Sequence, residues 1–300
     1  MALKNTDPAE ESRAPVDQSE ESLGIEEKYG KLRRILSSID GAVIAFSGGV
    51  DSSLLLAVAA ETIPGRLVAV TSISPLLPRA DKELAQRIAT DLGVEHLLIE
   101  TQEMSDPSFV ANGPRRCFHC KMGLFTTLWQ IAAERGYETV LEGSNLDDQA
   151  DYRPGHQAGR TLGVQSPLMQ SGLTKADVRA LAKMLGLENA DKPSSACLAS
   201  RIPYGERITK ERLERIEAAE RVLQFLGIEQ VRVRDHGSIA RIEVPEAVLP
   251  RLMDLPTRKA LVNSLQDLGW VFVTLDMEGY SVGSMNKIIA TQTSRDHKKT

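Results

Sequence analysis

Three stretches of this chain carry residue types whose spacing could do chemistry. The first is Ser47-Gly48-Gly49-Val50-Asp51-Ser52-Ser53, set between a short apolar run and a helix-patterned one. The glycines let the chain turn sharply and bring backbone N–H groups close to an anion without Cβ obstruction. A helix that starts directly behind the turn adds partial positive charge and unpaired donors. With the hydroxyls of Ser47, Ser52 and Ser53, the turn suits a phosphate or pyrophosphate. It has neither the Gly-Lys-Ser/Thr of a P-loop nor the GxGxxG of a dinucleotide turn. A tight strand-to-helix turn with no ligand is the bland alternative.

The second stretch is Arg115-Arg116-Cys117-Phe118-His119-Cys120-Lys121, which puts two thiols one turn apart at a predicted helix start. Positive charge and a helix N-terminus both favour thiolate there. The third cysteine, Cys197, sits in KPSSACLASRIPYGE (192–206), a Pro- and Ser-rich loop expected near the strand ends. Three is an odd number, which excludes a closed disulfide framework. In a reducing compartment such cysteines are more often free, metal-bound or catalytic. Several arrangements compete. One is a redox CxxC pair, although the surrounding pattern is wrong for a thioredoxin. Another is structural zinc, which needs a fourth ligand; His119 points badly from inside the CxxC, and His156 is conceivable. A third is a [4Fe–4S] cluster on three thiolates, with one iron left open for an external group. The last leaves the cysteines unlinked, with Cys197 reactive alone.

The third stretch is VRVRD (231–235). Arg232 and Arg234 alternate with Val231 and Val233, so in a strand both guanidiniums face one side. Such forks match phosphate oxygens.

The elements that position these residues follow a regular rhythm. A helix over Ile25–Ile39 precedes a strand at Gly41–Phe46, the glycine turn and a helix. Strands at 66–73, 94–100 and 138–143 then alternate with helices at 79–93 and within 118–135. This alternation predicts an α/β fold with a doubly wound parallel sheet covered on both faces. The helix at 174–186 carries Thr174 as N-cap and Gly186 as stop. Near residue 205 the rhythm changes to α-β-β-α-β: a long amphipathic helix at 208–227, strands at 229–235 and 240–245, a helical stretch at 246–268 and a strand at 270–275. The expected organisation is a disordered tail over 1–23, an α/β domain over 24–205, a smaller C-terminal α+β domain over 206–290 and a loose tail over 291–300.

The chain of 300 residues is 42% hydrophobic and 26% charged, the composition of an ordinary soluble globular protein. Its net charge of −5 argues against a broad nucleic-acid surface, and 4% aromatic residues argue against base-stacking platforms. No apolar run reaches the length of a membrane span and the N-terminus lacks a secretion-signal layout, so a cytoplasmic protein without membrane partners is expected.

SGGVDSS resembles the PP-loop of the ATP pyrophosphatases, adenylating enzymes that cut ATP between its α- and β-phosphates. The resemblance implies a five-stranded parallel sheet with ATP at the strand ends. It gives Ser47, Gly48, Gly49, Asp51, Ser52 and Ser53 the pyrophosphate and its Mg²⁺. The segment EGSNLDD (142–148) resembles the second nucleotide-side segment of that class, with Asn145 and Asp148 as candidates. Together CLASRIPYGERIT, PGHQAGRTLGVQSPL, VRVRDHGSIARIEV and LDMEGYSVGSMN resemble the LarE family over residues 25–290. These are ATP-dependent sulfur transferases of nickel-pincer nucleotide (lactate racemase cofactor) biosynthesis. The resemblance implies that the carboxylates of pyridinium-3,5-biscarboxylic acid mononucleotide are adenylated and then thiolated. It makes Ser200, Arg201, Arg232 and Arg234 holders of the substrate phosphate. Glu220 and Glu243 match acidic positions near the family's active site. Better-known members sacrifice the sulfur of a single cysteine in the CLASR loop. With Cys117 and Cys120 in addition, the chain resembles the cluster-bearing subgroup, and that resemblance implies that Cys197 completes the set and that Cys197 and Asp51 are the catalytic positions. A sulfide or cysteine-desulfurase-type sulfur donor and a homo-oligomer, often a hexamer, are further implications. Competing readings are a PP-loop tRNA thiolase, an amide-forming synthetase, a nucleotide sensor without chemistry, and a sacrificial cysteine without a cluster.

Overall fold

The computed structural model describes residues 24–63, 65–149, 154–193 and 196–281. The expected tails over 1–23 and 291–300, and residues 282–286 of LDMEGYSVGSMN, lie outside the described residues.

Helix α1 (Ile25–Ser37) buries Leu32 and Leu36, one turn apart, and leads to strand β1 (Ala42–Ala45). Helix α2 (Val50–Thr62) is apolar on nearly every side, with Leu54, Leu55, Leu56, Val58 and Ala59 all inaccessible. Such a helix is stable only inside a layered core, and α2 sits in one built from β1, α1 and the strand and helices that follow. Next along the chain come β2 (Leu67–Ile73), α3 (Arg79–Asp91) and β3 (Glu95–Glu100), then the short α4 (Pro107–Val110) and the long α5 (Arg116–Glu134). Strand β4 (Val140–Leu141) follows, then α6 (Pro154–Thr161), α7 (Pro167–Gln170) and α8 (Lys175–Met184). Thr174 caps α8 in a reciprocal pairing with Asp177, as its spacing predicts.

The sheet order is β3-β2-β1-β4, with every neighbour parallel. The chain therefore winds outward from β1 through β2 to β3 and then returns to the other side of β1. The order reverses between β1 and β4, and a crevice opens there at the carboxyl ends of the strands. Among the described residues the sheet has four strands, where the resemblance implies five. At the fifth position the chain makes one parallel bridge, Gln165 beside Leu141, and Pro167 then opens α7. Proline has no N–H to donate, so the pairing stops after one residue.

The C-terminal elements are α9 (Lys210–Phe225), β5 (Arg232–His236), β6 (Ile239–Glu243), α10 (Leu249–Met253), α11 (Leu255–Asp267) and β7 (Phe272–Leu275). β5 and β6 pair antiparallel and β6 and β7 parallel. Leu213, Ile216, Ala219 and Leu223 of α9 form a core with Val233, Ala240, Ile242, Leu261, Leu265 and Trp270. Leu76, Phe109, Val110, Leu198, Ala199 and Ile202 join the same core, so the cysteine-bearing segments pack against the C-terminal elements.

Candidate active site

The phosphate turn lies in the crevice at the reversal of strand order, straight after β1. Gly48 has φ +68, and a Cβ there would lie 3.0 Å from the Ala85 Cβ on α3. Across the crevice Gly143, just past β4, lies so close that a Cβ would stand 2.8 Å from the Ser52 backbone nitrogen. Only glycine fits either position. Gly49 is the N-cap of α2 and offers no side-chain acceptor, so the donors of the first turn face the crevice. The Ser47 and Ser52 hydroxyls lie 3.2 Å apart across the turn. Ser53 points the other way: it is fully buried and accepts from Asn189 Nδ2 at 2.9 Å, and the same amide donates to the Gly48 carbonyl at 2.9 Å.

Asp51 Oδ1 accepts from Asn145 Nδ2 at 3.0 Å, and Oδ2 pairs with the Lys175 ammonium. Asp148 Oδ2 accepts from the Asn145 backbone N–H at 3.0 Å, and Asp147 accepts from the Lys175 backbone N–H at 2.9 Å. The structure thus gathers the predicted nucleotide-side residues Asp51, Asn145 and Asp148. It adds Lys175, which no local pattern pointed to as a site residue.

Glu142, at the end of β4, accepts from Lys121 at 2.7 Å, Ser144 at 2.7 Å and Ser166 at 3.1 Å. Burial alone would push its carboxyl up, but Lys121, the Ser144 hydroxyl and His156 hold it below the usual carboxylate range. Lys121 follows Cys120 on α5, so this pair ties the thiol helix to the crevice. His156 lies 3.4 Å from the Ser144 hydroxyl, within the Glu142 group.

The cysteines come from two elements. Cys117 and Cys120 lie in the first turn of α5, and Cys197 opens a short 3-10 turn, Leu198–Arg201. The Leu198 N–H donates to the Leu76 carbonyl at 3.0 Å, and Arg201 Nη1 donates to the Cys197 carbonyl at 3.1 Å. Its backbone is clamped while its side chain stays exposed. Asn112, at φ +55, fastens the two segments together: it donates to the carbonyls of Pro203 at 2.8 Å and Glu206 at 3.0 Å and accepts from Arg116. The Asn112-Gly113 dipeptide is a turn signal in the sequence, but its partners some ninety residues away carry no local mark.

The expectation that local positive charge makes Cys117 and Cys120 thiolates is corrected. Burial is the larger effect and pushes both thiols up, and the proximity of Cys197 pushes them further. For Cys117, Arg116 and Lys121 offset this only in part. In reduced, metal-free protein, iodoacetamide is therefore expected to modify Cys197 at least about tenfold faster than either α5 cysteine. Peptide mapping during a time course reads the order, and fastest labelling of Cys120 would contradict it.

Arg201, Arg232, Arg234, Glu220 and Glu243 form a buried charged layer behind Cys197. Arg201 grips Glu220 with two bonds of 2.9 and 3.0 Å, and Glu220 also accepts from the Val233 N–H at 3.0 Å. Arg234 donates to Glu243 at 2.6 Å and to the Ser200 carbonyl at 3.0 Å. Arg241 reaches the other oxygen of Glu243 at 2.9 Å. Both acidic positions are thus neutralised by guanidiniums. Arg232 stacks 5.3 Å from the Tyr280 ring, and burial, then the positive charge of Arg201, lowers its pKa. This surplus of positive charge in a dry layer suits an anion. Arg201→Ala would strand the Glu220 carboxylate, and a loss of about 3–5 kcal/mol in unfolding free energy is expected. Urea denaturation measures it, with Arg201→Ala/Glu220→Gln recovering part of the loss; an unchanged midpoint would contradict the pairing.

Among the described residues, no three His, Cys, Asp or Glu side chains are gathered tightly enough to hold a single metal ion. A cubane cluster spreads its thiolates over separate irons and asks for a wider set. The donors fit it in kind: Cys117 and Cys197 are near enough to Cys120 to influence its thiol, and Glu103 beside Cys120 has a buried Oε2 with no hydrogen-bond partner among the described residues. Its Oε1 lies 3.8 Å from Cys120 Sγ.

An asparagine synthase family model matches residues 40–113, from β1 through the phosphate turn to the approach of α5. Turn, crevice and strand order together define a PP-loop ATP pyrophosphatase fold. Over 262 residues the chain is 38% identical to pyridinium-3,5-bisthiocarboxylic acid mononucleotide synthase of Lactiplantibacillus plantarum, covering 86% of this chain and 94% of that one. It is 42% identical over 265 residues to an uncharacterized protein of Synechocystis sp., covering 88% and 99%. A tRNA-specific 2-thiouridylase of Sphingopyxis alaskensis is 27% identical over 215 residues, 59% of this chain and 56% of its own. The chain belongs to the LarE family and is a sulfur-transferring enzyme. No helix among the described residues is long and apolar enough to cross a membrane.

Proposed function

We propose that this enzyme uses ATP and Mg²⁺ to adenylate the carboxylates of pyridinium-3,5-biscarboxylic acid mononucleotide and converts them to thiocarboxylates in nickel-pincer nucleotide biosynthesis. Cys117, Cys120 and Cys197 would hold a [4Fe–4S] cluster, which would supply the site for the incoming sulfur. The observation that carries this reading is the run of contacts joining the phosphate turn to both cysteine segments. Gly143 abuts Ser52, and its neighbour Glu142 holds Lys121 beside Cys120. Asn189 anchors the turn from the segment that leads to Cys197.

The chemistry assigns each part. A carboxylate is a poor electrophile because oxide is a poor leaving group. Its oxygen therefore attacks the α-phosphorus of ATP, the bond to the bridging oxygen breaks, and pyrophosphate departs. The turn donors, Ser47 and Ser52 hold the departing pyrophosphate, and Asp51 holds its Mg²⁺. Asn145 fixes the Asp51 carboxylate, and Asp148 fixes Asn145. Arg232 and Arg234, with Ser200 and Arg201, hold the substrate phosphate, so that the acyl carbon lies towards Cys197. Sulfur then adds to that carbon, the carbon–oxygen bond breaks, and AMP leaves with the oxygen. When bound, the cluster would supply an iron with an open position for sulfide drawn from a sulfide or cysteine-desulfurase-type donor.

The test is pyrophosphate release by anaerobically purified protein, with iron and sulfide analysis on the same sample. Release stimulated by the pyridinium dicarboxylate mononucleotide, and about four irons per chain, is expected. Stimulation by tRNA instead, or zinc in place of iron, would overturn the substrate and the cluster respectively.

A further inference from the structure

The Asp51 carboxylate already has a cation. Lys175, at the first turn of α8, reaches 124 positions back along the chain to pair with Oδ2, and Asn145 takes Oδ1. The pair is neither sealed nor fully wet: the side chains are 28% and 25% exposed. The lysine is held from both ends, because its backbone N–H donates to Asp147 in the segment that carries Asn145 and Asp148. α8 is thus fastened at its start to the second nucleotide-side loop and delivers one ammonium to the first.

A divalent ion arriving at Oδ2 would meet the Lys175 ammonium on the same atom, and the two like charges compete for that oxygen. Asn145 is neutral, buried and fixed by its neighbours, whereas Lys175 has a long flexible stem open to water. The ammonium is the partner that can go. We propose that Lys175 is a placeholder cation: it neutralises Asp51 while the crevice lacks metal and nucleotide, yields the carboxylate to the divalent ion, and then adds its charge to the phosphates in the same crevice. The consequence is ordered loading. Metal alone competes with a tethered ammonium and binds weakly. Metal arriving with the nucleotide binds well, because the displaced ammonium gains an anionic partner. This inference rests on the nucleotide reading of the turn.

The experiment uses the full chain and Mn²⁺ as probe, followed by electron paramagnetic resonance without nucleotide, together with equilibrium binding of ATP in the presence of Mn²⁺. Lys175→Met is expected to tighten Mn²⁺ binding roughly five- to tenfold, the size of a partly exposed ion pair, and to weaken ATP binding by about tenfold or more. Lys175→Arg, which keeps the charge, is expected to hold Mn²⁺ affinity near that of the parent. Mn²⁺ affinity in Lys175→Met equal to or below the parent's overturns the placeholder role, and undiminished ATP affinity overturns the transfer to phosphate. Asp51→Asn separates this from the underlying reading. If it leaves Mn²⁺ and ATP binding intact, the turn is not the metal-nucleotide site and both ideas fall. If it abolishes them while Lys175→Met changes nothing, the inference alone falls.

Discussion

A Cys197→Ala variant is expected to make no thiocarboxylate while still binding ATP and releasing pyrophosphate when substrate is added. The reason is geometric. Cys197 is the exposed member of the thiol trio; its carbonyl is held by Arg201 and the N–H of the next residue, Leu198, by Leu76, and neither partner belongs to the phosphate turn. Alanine keeps those backbone bonds and removes only the sulfur. Fold and adenylation should survive, and the acyl-adenylate, with no sulfur partner, should be lost to water. Chromatography of the product against a pyrophosphate assay on the same reaction reads both halves. Thiocarboxylate formed at the parent rate would remove Cys197 from the sulfur route, whatever the state of the other two cysteines.

Asp51→Ala should fail one step earlier. On the proposed reading, adenylation brings the triphosphate, the substrate carboxylate and a second phosphate into one crevice, and a metal on Asp51 would offset that repulsion as charge builds on the departing pyrophosphate. Loss of such a fixed electrostatic partner typically costs about 10²–10³-fold in rate, or roughly 3–4 kcal/mol of transition-state stabilisation. The same change frees Lys175 and Asn145 from their shared partner, so the loss should sit at the upper end of that range. Pyrophosphate release within about threefold of the parent would contradict the assignment of the turn.

These expectations draw on features of unequal legibility. The alternation of apolar runs and amphipathic stretches placed each strand of the parallel sheet and the helices α1, α2, α3, α8 and α9 within a few residues, because period and capping are local properties. The glycine turn was legible for the same reason: Gly48 and Gly49 follow an apolar run and precede a helix. The fifth strand that the resemblance implied is only a single bridge at Gln165 among the described residues, and Pro167, which ends it, is the local mark that pointed against a strand there. The state of the α5 thiols was misread because Arg115, Arg116 and Lys121 are visible in the sequence, whereas the burial that outweighs them comes from the C-terminal core. Arg232 and Arg234 were legible as a shared face, yet their setting was not. Glu243 lies on the neighbouring strand, and Arg201 and Glu220 are joined across nineteen residues by packing alone. Lys175, Asn112, Asn189 and Glu103 gave no usable signal, since each matters only through a partner remote in sequence.

The central claim is that an adenylated carboxylate meets sulfur held by three thiols rather than the sulfur of a cysteine itself. The most direct measurement counts thiocarboxylate formed per chain under anaerobic conditions with excess sulfide, and weighs the intact chain before and after. The account predicts several equivalents of product and an unchanged mass. Product that stops at one sulfur per chain, with the chain lighter by one H₂S at Cys197, would contradict it.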